Sequence, residues 1–284
     1  MDGKVCLVTG ANSGIGKAVS LGLAHMGATV VLICRSQSRG AAALAEIKQR
    51  SGNSSVSLLV ADLSSQHQIR RVASEYQQQY NRLDVLVNNA AVARRKRRVN
   101  ENGLELTFAV NHLAPFLLTS LLLDLLKASA PARVVTVSSG AHFDGTINFA
   151  DLQAERRYSP LATYSQSKLA NVVFTYELSR RLEGTGVTAN SVHPGFVATN
   201  IFRDAPLWMR AALGLVRPFI LSPDQGADTV LYLATAPEVA EVSGRYFEKR
   251  KSVVSSVASR DADTARRLWE VSERLTTVSA HTAG

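Results

Sequence analysis

Short β-branched, almost wholly apolar runs recur along the chain at residues 5–9, 29–33, 56–60, 85–87, 134–137 and 187–192. Segments of helical period separate them, at 15–26, 39–50, 66–79, 103–128, 164–182 and 224–234. This alternation predicts a parallel sheet wrapped by crossover helices. Strands without polar/apolar alternation are buried on both faces, as in such sheets. A late run at 245–247 predicts a seventh strand. No repeat, low-complexity linker or composition break interrupts the pattern. Residues 1–284 therefore read as one doubly wound α/β domain with a mostly parallel sheet of about seven strands.

Composition agrees with a packed enzyme-sized domain, which at this length buries roughly 75% of its unfolded surface. With 46% hydrophobic and 19% charged residues, the chain is not globally disordered. Only Cys6 and Cys34 occur, both in strand-like runs, which excludes a disulfide-stapled module and predicts buried, reduced thiols. The six histidines show no metal-ligand spacing, and no metal site is expected. Of these, His112 and His193 are expected to pack locally, and His142, three residues past Ser139, is a lesser candidate for facing substrate.

Thirty-two basic residues against 23 acids give a net charge of +9, which points to an anionic partner without choosing one. Five of those charges form the run Arg94-Arg95-Lys96-Arg97-Arg98. It lacks interleaved aromatics, so no specific nucleic-acid binding is expected. The start, Met1-Asp2-Gly3-Lys4, shows no basic-then-apolar leader, and Pro115 and Asp124 interrupt the apolar stretch 113–126. That falls short of the roughly 18 apolar residues of a spanning helix. A cytoplasmic protein without a transmembrane segment is the expectation.

The first strand runs straight into Thr9-Gly10-Ala11-Asn12-Ser13-Gly14-Ile15-Gly16 and then a helix. Glycines there let the backbone approach a pyrophosphate, and the helix aims its N–H groups at the anion. A dinucleotide is the cofactor this context predicts. At the end of the second strand, where an acid would bind the ribose 2′-hydroxyl of NAD, stand Cys34, Arg35 and Ser36. With no carboxylate and a guanidinium able to grip a 2′-phosphate, the expected cofactor is NADP(H).

The spacing G-x-x-x-G-x-G resembles the short-chain dehydrogenase/reductase family, and further landmarks follow in order over about residues 4–247. The resemblance implies an adenine contact at Asp62 and Leu63. Asn88-Asn89-Ala90-Ala91 is similar to the family's Asn-Asn-Ala-Gly motif, with Ala91 in place of the glycine, and implies cofactor contacts at Asn89, Ala90 and Ala91. Pro194, Gly195, Val197 and Thr199 match the segment holding the nicotinamide amide. Asn111, Ser139, Tyr164 and Lys168 match the catalytic positions, the last two also touching the cofactor. Segments 137–142 and 167–171 look most like the retinol dehydrogenase-like branch. Family members often pair through the helices around Asn111 and Tyr164, so a homo-oligomer is an expectation.

Tyr164 and Lys168 are four residues apart in a helical segment, hence on one face. A free tyrosine, with pKa about 10, exchanges protons poorly at neutral pH, and a nearby ammonium and the positive nicotinamide ring would favour tyrosinate and lower that value. The expected chemistry is hydride transfer between nicotinamide and a carbonyl. Ser139 would hold the oxygen, Tyr164 act as general acid, and Lys168 lower the tyrosine pKa. By resemblance, Lys168 binds the nicotinamide ribose and Asn111 holds a relay water. The apolar excursion 198–221, with Leu207, Trp208, Met209, Leu213 and Leu215, is expected to form a substrate lid beyond the sixth strand. Its bulk points to a lipophilic ketone, aldehyde or alcohol, retinoid-like by resemblance. A redox sensor or scaffold that binds NADP(H) with little turnover is the alternative.

Overall fold

A computed structural model describes residues 1–196 and 221–277. The strands are β1 (Val5–Thr9), β2 (Thr29–Cys34), β3 (Val56–Val60), β4 (Val85–Asn88), β5 (Ala132–Val137), β6 (Val187–His193), β7 (Arg245–Glu248) and β8 (Lys251–Val253). They form one sheet in the order β3-β2-β1-β4-β5-β6-β7-β8, parallel except for β8. Alternate residues of each strand face opposite sides. Val31 and Ile33 of β2 enter one core, Val30 and Leu32 the other.

The helices are α1 (Gly14–His25), α2 (Gln37–Ser51), α3 (Gln66–Gln79), α4 (Leu106–Phe108), α5 (Ala114–Leu121), α6 (Leu123–Ala128), α7 (Pro160–Arg181), α8 (Pro223–Thr235) and α9 (Ala262–Thr276). Val19 and Leu23 of α1 and Val230 and Leu233 of α8 fill one core. Ile69 and Val72 of α3, Phe116 of α5 and Phe174 of α7 fill the other. Chain order reverses at β1, which lies between β2 and β4. A doubly wound sheet opens its ligand crevice there, beyond the carboxyl ends of the strands. No described helix is long and apolar enough to cross a membrane.

Three features differ from expectation. The sheet has an eighth strand, a three-residue exposed edge reached through a turn in which Lys249 and Arg250 have φ of 49° and 61°. The helix expected over 103–128 is broken by a π-turn at Ala109–Leu113. Pro115, at the start of α5, has no N–H to continue the regular ladder. The third is α9, which the strand-and-helix alternation did not predict. Its Ala265, Leu268, Trp269, Ser272 and Thr276 recur at helical spacing and are buried. Trp269 stacks on Phe174 and meets Phe116 edge-on, while the Arg181 guanidinium lies 4.2 Å over its ring. The outward side of α7 and of the helices around Asn111 thus carries α9, a helix of the same chain.

Cys6 and Cys34 are buried and free, as expected, and burial pushes their thiols up to about 12 and about 11. Such thiols are inert. Most of the expected lid, with Val197 and Thr199, lies outside the described residues.

Candidate active site

The glycine loop leaves β1 at Gly10, whose φ is +67°, and enters α1 at Gly14, whose φ is +55°. A side chain at Gly16 would have no room, since its Cβ would fall 2.4 Å from Asn89 Nδ2 and 2.5 Å from Gly10 O. The loop is therefore folded tightly back on the end of β4. Thr9 locks the same corner: its Oγ1 accepts N–H bonds from Asn89 (2.9 Å) and Ala90 (3.0 Å), and its carbonyl accepts from Asn89 Nδ2 (2.8 Å). Ser13, the N-cap of α1, makes no side-chain cap bond. The serines before α2, α3, α7 and α8 all do. The first turn of α1 thus keeps its N–H groups for another acceptor, and together with the Cβ-free cradle this fits a phosphate-bearing dinucleotide.

Around this loop stand the other expected cofactor residues. Ile15 is buried under it and Asn12 is half-buried. Arg35 is exposed just past β2, its Nη1 3.9 Å from Asp62 Oδ2. Ser36 caps α2 through Arg39 N–H. Asp62 Oδ1 accepts from the N–H and hydroxyl of Ser64. Leu63, Ala90 and Ala91 are half-buried at the ends of β3 and β4, as are Pro194 and Gly195 past β6.

The catalytic candidates come from β5, the π-turn and α7. Ser139 follows β5 in extended conformation, and its Oγ accepts the Ala141 N–H at 3.2 Å. The preceding Ser138 donates its hydroxyl to Lys168 O at 2.7 Å, which fastens the end of β5 to α7. Lys168 is buried, with Nζ donating to Val137 O at 3.0 Å and lying 5.8 Å from the Tyr164 ring centre. Asn111 is fully buried in the π-turn. It accepts Val92 N–H at 2.7 Å and donates to Val92 O and Ser167 Oγ. No hydrogen bond joins Asn111 to Tyr164 or Lys168; its amide ties the loop after β4 to α7.

Burial dominates the electrostatics of these groups. Burial pushes the Tyr164 phenol up to about 12, opposed by a hydrogen bond from the Ser139 side chain. Burial also pulls Lys168 down to about 8. Desolvation is the larger influence on the phenol, while Lys168 Nζ, 5.8 Å from the ring centre, is steadied by the Val137 carbonyl. A protonated phenol at this position is able to donate a proton.

The basic run is anchored rather than loose. Arg97 donates to Gln153 O and pairs with Glu155, and Tyr158 donates its hydroxyl to Arg94 O. Arg95, Lys96 and Arg98 are the members of the run that face solvent most openly. Sequence reasoning did not single out Thr9, Ser138 or Ser167, since lone hydroxyls carry no spacing signal. Their neighbours in the motifs were the only pointer.

A doubly wound sheet with a glycine loop at its switch point, and serine, tyrosine and lysine converging beyond β5, defines a dinucleotide-dependent oxidoreductase. The family model described as short chain dehydrogenase matches residues 4–210, and the chain belongs to that family. It falls in the retinol dehydrogenase-like branch and is an oxidoreductase of alcohol and carbonyl groups. Human retinol dehydrogenase 14 is 44% identical over 289 residues, covering 96% of this chain and 86% of its own length. A solved uncharacterized protein from Mycobacterium Paratuberculosis superposes with a TM-score of 0.80 at 35% identity, covering 97% of this chain and 94% of its own. A short chain dehydrogenase from Burkholderia cenocepacia in complex with NADP superposes with a TM-score of 0.70 at 25% identity, covering 87% and 96%.

Proposed function

We propose that the chain is an NADP(H)-dependent reductase of lipophilic aldehydes or ketones, running in reverse on the corresponding alcohols. The observation that carries this reading is the placement of Tyr164 against Ser139, on the helix face that also bears buried Lys168. Reduction of a carbonyl needs a proton as well as a hydride, and a protonated, desolvated tyrosine supplies it. Ser139 donates a hydrogen bond to the substrate oxygen, polarising the carbonyl. Tyr164 then gives its proton to the forming alkoxide. Lys168, fixed by Val137 O, stabilises the tyrosinate left behind. The bound nicotinamide supplies or accepts the hydride.

Arg35 and Ser36 would hold the 2′-phosphate, since the Arg35–Asp62 pair is exposed and long, and such pairs contribute about 0–1 kcal/mol. A charge-assisted phosphate contact is stronger, so the guanidinium can leave Asp62 for it. The NADP complex of the Burkholderia relative and the retinol dehydrogenase relatives support this choice of cofactor and a retinoid-like substrate.

The test is NADPH consumption against aliphatic, aromatic and retinoid carbonyls, with Tyr164→Phe alongside. The variant is expected to bind NADPH normally and lose at least about 100-fold in kcat, the low end of general-acid catalysis. Retention of more than about a tenth of wild-type kcat, with chemistry rate-limiting, would remove Tyr164 from the mechanism.

A further inference from the structure

The peptide bond that follows Ser139 is gripped at both of its polar atoms by imidazoles. His142 Nδ1 lies 2.8 Å from the Ser139 carbonyl oxygen. A carbonyl only accepts, so that ring nitrogen carries the proton. The other nitrogen of the ring, Nε2, accepts the Ser256 N–H at 3.2 Å. His142 is therefore a neutral ring with its proton on Nδ1. On the other side of the same peptide plane, Gly140 N–H donates to His193 Nδ1 at 3.1 Å. His193 is then a neutral ring of the opposite tautomer, with its proton on Nε2.

Neither ring is placed as an exposed acid or base. His142 is fully buried, packed against Tyr246 and Phe143, and both of its nitrogens are spent on backbone. This answers the expectation that it could face substrate. His193 is also buried and does more than pack, since it receives a backbone hydrogen bond. Asp144 near His142 and Glu248 near His193 favour the charged forms, while Lys249 opposes that at His193. Burial prevails at both, holding them below their ordinary pKa and hence neutral.

Rotation of this peptide plane is the ψ angle of Ser139, which stands at 157°. With β5 fixed before it and this peptide fixed after it, the Ser139 Cα is held from both sides, and with it the origin of the side chain. Three separate parts of the chain converge on it: the turn after β5, the end of β6 and the segment before residue 257. We propose that His142 and His193 are positioning residues that together hold the Ser139–Gly140 peptide, and through it aim Ser139 Oγ at the substrate oxygen. The proposal rests on the reading of Ser139 as the oxygen-binding group. Displacing a catalytic group by about 1 Å can cost about 100-fold in rate.

The test exploits isosteres. The amide of asparagine reaches the Nδ1 position of histidine, whereas that of glutamine reaches Nε2. His142→Asn keeps a donor for the Ser139 carbonyl, and His193→Asn keeps an acceptor for Gly140 N–H; the glutamine variants lose these contacts. Single-turnover hydride transfer would be measured with NADPH and the carbonyl that wild type reduces best, beside NADPH affinity and thermal melting. The glutamine variants are expected to slow hydride transfer by about 10- to 100-fold with NADPH affinity within about twofold. The asparagine variants should stay within about threefold of wild type, which a general packing role would not produce. Nitrogen-15 histidine NMR of the wild type should show opposite tautomers, and Gly140 amide exchange should quicken in His193→Gln. Equal losses in Asn and Gln variants, a shared tautomer or a charged ring would each overturn the proposal. A wild type inactive on every carbonyl would overturn the functional reading and the catalytic half of this one. The tautomers and Gly140 exchange would still decide whether the rings hold the peptide.

Discussion

His112 should make this protein acid-labile, and replacing it with phenylalanine should remove part of that lability. The ring is buried among Phe108, Phe116 and Phe174, at centroid distances of 5.1, 6.4 and 6.2 Å. Desolvation pulls its pKa down to about 3, with the Asn171 side chain opposing. Unfolded, it returns to about 6.5. The unfolded state therefore binds the extra proton between these values, so stability is complete above about pH 6.5 and falls as pH drops toward 3. Each pH unit in that window costs about 1.4 kcal/mol, or about 2 kcal/mol at pH 5. Phenylalanine fits an aromatic surround and does not titrate. It also leaves Ser272, which faces His112 Nε2 at 2.9 Å, bonded to Leu268 O. His142 and His193 are held low as well, but they act equally in both proteins and cancel. Equilibrium urea unfolding of wild type and His112→Phe at pH 8 and pH 5 measures the difference. Wild type should lose about 2 kcal/mol more than the variant on acidification. Equal losses would show that His112 titrates normally in the folded protein, and the burial argument would fall with it.

Further outcomes follow from the cofactor side. Arg35→Ala should weaken NADPH by about 10- to 150-fold, the equivalent of about 1.5–3 kcal/mol, and leave NADH nearly unchanged; equal losses in titration would remove Arg35 from the 2′-phosphate. Gly16→Ala forces a methyl against Gly10 O and Asn89, so it should cost about 1–3 kcal/mol in thermal or urea unfolding. A fully stable variant would mean the loop yields easily. Glutamine at Arg95, Lys96 and Arg98 together should slow NADPH association at low salt and leave kcat unchanged, since screening shortens to about 8 Å at physiological ionic strength. Identical salt slopes in stopped-flow binding would leave the run without a part in cofactor capture.

Parallel strands were legible because burial on both faces writes itself as unbroken apolar runs, and the glycine loop because only glycine tolerates φ near +67° so close to Ala90. Expectation stopped short where the signal is thin. β8 is three exposed residues with no face to bury. The polar side of α9, with Arg266, Arg267, Glu270 and Glu273, masks a narrow apolar stripe. Helical period alone does not reveal that the ladder widens at Asn111. The bond from Ser256 to His142 spans 114 residues, and no local pattern encodes a contact of that range.

The covering of α7 by α9 has a consequence for how the chain is made. Gln66 and Arg70 of α3 donate to the carbonyls of Leu275 and Thr276, so the last described helix closes against residues synthesised some 200 positions earlier. Phe116 and Phe174 lack their Trp269 partner until α9 leaves the ribosome. At about 5–20 residues per second, the 95 residues between the ends of α7 and α9 leave that aromatic face bare for about 5–20 s. A nascent chain of this protein thus carries a bare aromatic face while β6, β7 and β8 are still being made, long after its phosphate loop is complete.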